Sequence, residues 1–175
     1  MVTPRGVAHV NLLDFVKQRE GRARDLRNGT CIAYWDAAGG VWTIGYGTTG
    51  WNVKPGTIWT YAQCESALES KLADARRELL SVCRGVTWPD GAQDALTDFV
   101  YNVGIGNFQH SKLHACVMAH DWDGVRRHLT DWEYAGGKKL GGLVVRREAE
   151  IAMIHDTPPA SDIPPASDIP PDSVA

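Results

Sequence analysis

The 175-residue sequence has no long apolar run. Its unbroken hydrophobic stretches extend over a handful of residues, whereas a membrane-spanning helix takes about 20, so no stable membrane insertion is expected. The amino end, M-V-T-P-R-G-V-A-H-V-N-L-L-D, lacks a continuous apolar core and a small-residue cleavage site, so no secretory signal is expected either. A strong charge of one sign is also missing. The net charge is −3, and four of the 21 acidic residues (Asp156, Asp162, Asp168, Asp172) lie in the last stretch, leaving 17 acids against 18 basic residues in the body. A near-neutral body argues against nucleic acid as a partner, which demands a basic face, but leaves room for a local patch. Cysteine is sparse. Cys31, Cys64, Cys83 and Cys116 form no C-x-x-C pair, which argues against a structural zinc site. Four buried thiols is the favoured reading for a chain without an export signal, and one or two bridges stay open if it works outside the cytoplasm.

What is present is the balance of a globular protein, 43% hydrophobic and 22% charged, with length for one domain or two small lobes around one core. Val7, Val10, Leu13 and Val16, with Leu12 and Phe15, recur at helical spacing and predict a helix over 7–19 that stops at Glu20-Gly21. A polar, basic stretch follows, ending in the turn signal Asn28-Gly29. The period then changes. C-I-A-Y-W-D and V-W-T-I-G-Y-G are β-branched and aromatic, separated by A-A-G-G, and read as a hairpin. A two-residue turn at Gly39-Gly40 sets Ala38 opposite Val41, Ala37 opposite Trp42 and Asp36 opposite Thr43. Beyond a Gly- and Pro-punctuated loop, Thr60-Tyr61-Ala62-Gln63 is a capping box for a helix over 61–83, roughly 34 Å long. Pro89 opens a further helix carrying Ala92, Ala95, Leu96, Phe99, Val100 and Val103, and shorter helices are predicted around 111–119, 121–131 and 142–155. The tail differs in kind. P-P-A-S-D-I occurs at 158–163 and again at 164–169, and a Pro-rich repeat with so little apolar bulk reads as a mobile appendage over 156–175.

Three polar residues stand out. Glu20 closes an apolar helix, where a carboxylate opposes the helix dipole; an ordinary solvated Glu is the plain alternative, but locally unfavourable choices concentrate at functional sites. Asp36 and Thr43 are each commonplace beside a turn and in a strand. Together with Glu20 they supply an acid, a base and a water-holding hydroxyl, the equipment of glycoside hydrolysis, in which two carboxyls flank the scissile bond. Gly45 and Gly47, around Tyr46, either relieve crowding or let a bulky polymer approach the strand backbone. Seven tryptophans are expected to lie mostly in the core, with any exposed one able to stack on a sugar face.

These segments bear a resemblance. E-G-R, then A-Y-W-D-A-A-G-G-V-W-T-I-G-Y-G-T-T, then A-L-T-D-F-V-Y-N-V-G-I-G-N-F and G-G-L-V-V-R-R-E-A-E, in that order, resemble the motifs of the phage-type lysozymes, the endolysins of glycoside hydrolase family 24. The resemblance spans 9–155 and leaves out the tail. It implies an α+β, mainly helical, two-lobed fold: a small lobe over about 20–60 holding the hairpin, the 61–83 helix as link, and a helical lobe over 88–155, with hinge opening about the link. It implies that Glu20 is the catalytic acid, Asp36 the second carboxylate and Thr43 the hydroxyl that completes the set. Tyr34, Gly45, Tyr46, Asn102 and Arg146 would bind substrate or support the site, Arg146 by pairing with Glu20 and Arg147 standing as its alternative. Sixteen positions separate Glu20 from Asp36, more than the family's usual spacing, and the insertion makes Asp25 a rival to Asp36. Thr48 stands where the family often has His.

The resemblance further implies cleavage of the β-1,4 bond between N-acetylmuramic acid and N-acetylglucosamine in peptidoglycan, in an inverting scheme, by a monomer needing no metal or organic cofactor. Accumulation in the host cytoplasm and release to the wall through a separate holin is the simplest route, with a virion-borne role as the alternative. Two other readings stay open: a lytic transglycosylase, against which the retained Asp36 and Thr43 weigh, and a catalytically silent wall-binding protein, which would be expected to have lost one of the three.

Overall fold

The structure, a computed structural model, describes residues 11–37 and 39–155. Val7, Val10, the pairing of Ala38 and the Pro-rich repeats lie outside the described residues. The fold is α+β and mainly helical. Helix α1 (Leu12–Glu20) is capped by Asn11, whose side chain accepts from the Leu13 amide, and ends where the Gly21 N–H bonds the Lys17 carbonyl. It buries Phe15 and Val16.

No helix interrupts the described residues between α1 and Thr60. The segment read as one strand, C-I-A-Y-W-D, is two. Strand β1 (Thr30–Ile32) pairs antiparallel with β5 (Ile58–Thr60), whereas β2 (Tyr34–Asp36) pairs with β3 (Val41–Ile44), which in turn pairs with β4 (Thr48–Thr49). The chain changes sheets at Ala33, whose N–H bonds the Thr57 carbonyl. The hairpin register also corrects the expectation. Tyr34, not Asp36, faces Thr43; Trp35 faces Trp42; Asp36 faces Val41. Four residues rather than two close the turn, with the Gly40 N–H bonding the Asp36 carbonyl. Because the register moves by two residues, the side-chain parity survives: Asp36 and Thr43 still share one face, now as diagonal neighbours, and Trp35 and Trp42 share the other, their rings 5.8 Å apart edge to face.

Helix α2 (Tyr61–Val82) begins with both halves of the capping box, the Thr60 hydroxyl on the Gln63 amide and the Gln63 side chain on the Thr60 amide. Its buried residues Cys64, Leu68, Leu72, Ala75 and Leu79 form one stripe three or four residues apart. Gly45 explains how closely β3 approaches this stripe: a Cβ there would stand 2.8 Å from the Cys64 sulfur, at a φ of +60°. That glycine's missing side chain serves packing.

Helix α3 (Ala92–Val103) runs against α2 and buries Ala92 and every residue from Ala95 to Val100, so it is covered on several faces. It starts three residues after the position Pro89 suggested. Gly91 precedes it at a φ of +73°, with the Met153 carbonyl oxygen 1.9 Å from where a Cβ would be. Four more helices follow: α4 (Ile105–Gln109), which the sequence reading did not anticipate, α5 (Lys112–Met118), α6 (Trp122–Leu129) and α7 (Gly141–Met153). A short hairpin of β6 (Tyr134–Ala135) and β7 (Lys138–Lys139) precedes α7, which packs on α3. The buried hydrophobic residues form one contiguous cluster. Five tryptophans pack against it, while Trp35 and Trp51 are exposed. All four cysteines are free thiols, three of them buried. Among the described residues no helix is long and apolar enough to cross a membrane.

Candidate active site

Glu20 ends α1 at the rim of a cavity of about 450 Å³ that Gly47, Lys71, Tyr101 and Asn102 help to line. A carboxylate at a helix carboxyl end needs outside compensation, and α7 provides it. Arg146 Nη1 donates to Glu20 Oε1 at 2.9 Å across 126 positions of sequence. The same guanidinium grips Asp98 on α3 with its other edge, Nε to Oδ2 at 2.8 Å and Nη2 to Oδ1 at 2.7 Å. Asp98 is fully buried and Arg146 nearly so, while a quarter of the Glu20 side chain remains open to the cavity. One fork thus fixes a buried carboxylate and orients a half-exposed one. Burial opposes the Arg146 charge, and Asp98 and Glu20 outweigh it, so its pKa is raised.

Arg147 goes elsewhere. It is fully buried beside the Phe99 ring and donates to Glu150 at 2.7 Å and to Asn102 at 3.0 Å. Arg146 is therefore the arginine in contact with Glu20, and Arg147 supports the cavity wall through Asn102.

Two further side chains complete the wall. Tyr101 donates its hydroxyl to the Tyr46 carbonyl at 3.1 Å, and burial, with the Glu20 charge, pushes its phenol up to about 12, so it is a neutral donor. Tyr46 itself is buried, and its carbonyl anchors the Tyr101 hydroxyl. Lys71 on α2 donates to the Gly47 carbonyl at 2.8 Å; burial lowers its pKa, and Glu20 opposes that shift. Asp74 and Glu78, further along α2, line the same cavity. A second cavity of about 590 Å³ abuts it at Gly104, with Asn107, His110, Ser111 and Trp132 in its wall.

The hairpin residues form a second group. Tyr34, Asp36 and Thr43 lie on one face of the β2–β3 ribbon, and none of them lines the cavity at Glu20. Thr43 is buried, its hydroxyl 3.4 Å from the Val41 carbonyl. Asp36 is half-buried, and its Oδ2 would stand 3.2 Å from a Cβ built on Gly39, so its carboxylate leans over the turn. The rival Asp25 is committed locally. It accepts from the Tyr61 hydroxyl at 2.5 Å and from the Arg27 amide at 2.8 Å, and Arg22 stands 3.4 Å away. The Tyr61 bond, followed by the Arg27 amide, holds its pKa below the usual range. Asp25 and its neighbours Ala23 and Arg24 tie the inserted segment to β1 and Gly45 through isolated bridges and a bond to Ile32, so the insertion is built into the sheet region. Thr48, in place of the family's frequent His, is buried with its hydroxyl unbonded.

Asp98, Tyr101 and Lys71 are functional candidates that sequence reasoning did not single out. Asp98 carried a signal: a lone acid among Ala95, Leu96, Phe99 and Val100, on a helix with little polar surface, is an acid that needs a buried partner. Among the described residues no cluster of His, Cys, Asp and Glu is arranged to hold a metal ion.

Residues 28–150 match the family model described as phage lysozyme. The chain belongs to the phage lysozyme family. Glu20 lies upstream of the matched residues, so its place in the site rests on its contact with Arg146. Among curated proteins, the chain is 40% identical over 111 residues to a SAR-endolysin of bacteriophage PS119, covering 63% of this chain and 66% of that one. It is also 40% identical over 119 residues to a SAR-endolysin of Enterobacteria phage PA-2, covering 68% and 71%. The chain thus spans about two thirds of the length of these relatives. Among solved structures, the active form of the P1 phage endolysin Lyz superposes with a TM-score of 0.69 at 28% identity, covering 85% of each chain.

Proposed function

We propose that this phage lysozyme is an endolysin that hydrolyses the β-1,4 bond between N-acetylmuramic acid and N-acetylglucosamine in peptidoglycan. The observation that carries the reading is the carboxyl of Glu20, held at the rim of an open cavity by a guanidinium that is itself locked on a buried acid. In this scheme Glu20 protonates the glycosidic oxygen of the departing sugar. Asp36 accepts a proton from water while Thr43 helps to place that water, and attack from the opposite face inverts the anomeric centre. Such a scheme takes roughly 6.5–9.5 Å between the two carboxyls, against about 5–5.5 Å for a retaining one. Arg146 serves geometry: its charge is shared with Asp98, and its fork leaves Glu20 one favoured orientation. Tyr101, Asn102 and Lys71 offer polar contacts to a glycan lying in the cavity, and the adjoining space at Gly104 gives a longer strand somewhere to continue. The two lobes hinge about α2 as the strand enters.

The same reading has the protein act as a monomer on peptidoglycan in the periplasm, after accumulating in the host cytoplasm and passing through a separate holin. Clearing of permeabilised Gram-negative cells, with Glu20→Gln as control, tests the catalytic assignment: equal clearing by both proteins would defeat it. Mass spectrometry of the released muropeptides tests the chemistry. Reducing-end products are expected, and a dominant anhydro-muramyl product would replace the hydrolase with a transglycosylase.

A further inference from the structure

Glu150, one turn beyond Arg146 on α7, is fully buried and has no part in the chemistry above. Its Oε1 accepts from Arg147 Nη2 at 2.7 Å and lies 4.0 Å from Arg146 Nε. Its Oε2 is buried without any N–H or O–H donor among the described residues. On the α3 side, Asp98 Oδ2 takes the same Arg146 Nε at 2.8 Å, so the two carboxyls flank one edge of that guanidinium. Two ionised carboxyls so placed, away from water, repel each other; one proton between them turns the contact into a hydrogen bond. Both Asp98 oxygens already accept charge-assisted bonds from Arg146, which favours leaving the proton on Glu150.

The charged groups facing Glu150 are Arg146 and Arg147 of its own helix, Asp98 of α3 and Arg19 of α1. Arg19 donates to the Phe15 carbonyl and stacks on the Phe15 ring, and Arg147 divides its charge between Glu150, the Asn102 side chain and the Phe99 face. Burial is the largest influence on Glu150. It holds the carboxyl well above the ordinary range, with Arg147 opposing and Asp98 reinforcing.

We propose that Glu150 is a positioning residue: a neutral carboxylic acid that donates a hydrogen bond to Asp98 and so holds the Asp98–Arg146–Glu20 chain in one geometry. The part of this that concerns activity rests on Glu20 being the acid of the reaction proposed above; the protonation state does not.

Infrared difference spectra of the full chain at neutral pH, wild type minus Glu150→Gln, are expected to show the C=O stretch of one protonated carboxylic acid. A wild-type spectrum without that band overturns the proposal. In turnover of peptidoglycan fragments, Glu150→Leu fills the space but cannot donate, and is expected to lose about tenfold in kcat with little change in KM. Glu150→Gln, whose amide can donate to Asp98, is expected to recover most of that loss. A Gln variant as poor as Leu overturns the proposal, because Gln keeps a donor toward Asp98 that Leu lacks. Should Glu150→Leu fail to fold, the infrared band and the Gln variant decide. Glu20→Gln retaining activity would instead defeat the catalytic reading and leave the infrared result standing, so the two failures are distinguishable.

Discussion

Arg146→Met is the sharpest probe of the site, because a single side chain holds both the buried acid and the catalytic candidate. Methionine keeps much of the length and apolar bulk of the arginine stem but removes three charge-assisted hydrogen bonds, two to Asp98 and one to Glu20. Asp98 has no exposed surface, so water cannot replace the lost partner. Removing one member of a buried pair typically costs about 3–5 kcal/mol. For a chain of this size that corresponds to a fall in Tm of roughly 6–20 °C. Thermal unfolding by circular dichroism reads the stability arm. Clearing of permeabilised cells, measured well below both transitions, reads the second arm, in which Glu20 is left without its guanidinium and activity drops although the protein is folded. Arg146→Lys sharpens the comparison, since an ammonium keeps the charge but cannot present a planar fork to Asp98 while also reaching Glu20. Its stability should fall between wild type and Met, and its activity should stay close to that of Met. A Met variant melting within about 2 °C of wild type, or clearing cells at the wild-type rate, would refute the idea that this arginine is the clamp of the site.

Two further outcomes concern the scaffold. Gly91→Ala should destabilise by about 3 kcal/mol or more, because a Cβ there meets the Met153 carbonyl at 1.9 Å and the φ of +73° disfavours any side chain; chemical denaturation measures it, and a loss under about 1 kcal/mol would mean that the α3–α7 contact is not as tight as described. Thiol titration of the native protein should show one cysteine reacting ahead of the rest. Cys116 is the partly exposed one, whereas burial, with Cys31 adding to it, pushes the Cys64 thiol up to about 12, and burial pushes Cys83 to about 11, so little nucleophilic thiolate forms at neutral pH at either buried position.

The parts of this fold that could be read along the chain are those whose causes are local. Helix α2 was legible to within a residue because the Thr60–Gln63 capping box and the Leu68-to-Leu79 stripe both lie inside it. The hairpin was legible as a hairpin, but its register was not. A Gly-Gly pair suggests a two-residue turn, and only the Gly40-to-Asp36 backbone bond reveals that four residues are used. The break at Ala33 was hidden for a similar reason: it is imposed by pairing with Thr57, 24 positions later, and nothing in C-I-A-Y-W-D marks it. Helix α4 is five residues long and contains Gly106, too short and too weakly patterned to register as a period. The start of α3 is set by Met153, at the far end of the chain.

The site follows the same division, with a consequence for how it works. Glu20 could be noticed because its position at the end of α1 is electrostatically awkward, and Arg146 because a motif surrounds it. What joins them is invisible along the chain: Asp98 sits 48 positions from Arg146, and Glu150, a turn away on the same helix, flanks the guanidinium edge that Asp98 accepts from. None of these inner residues is exposed enough to touch a glycan. They matter because a carboxyl at a helix end, left to itself, would sample many orientations, whereas general acid catalysis needs its proton within hydrogen-bond reach of one oxygen. The buried pair of acids and the arginine fork convert tertiary packing between α3 and α7 into the direction in which Glu20 points. Substitutions deep in that contact should therefore lower kcat before they disturb glycan binding, and a cavity-making change such as Phe99→Leu beside Arg147 should do so while leaving KM near the wild-type value.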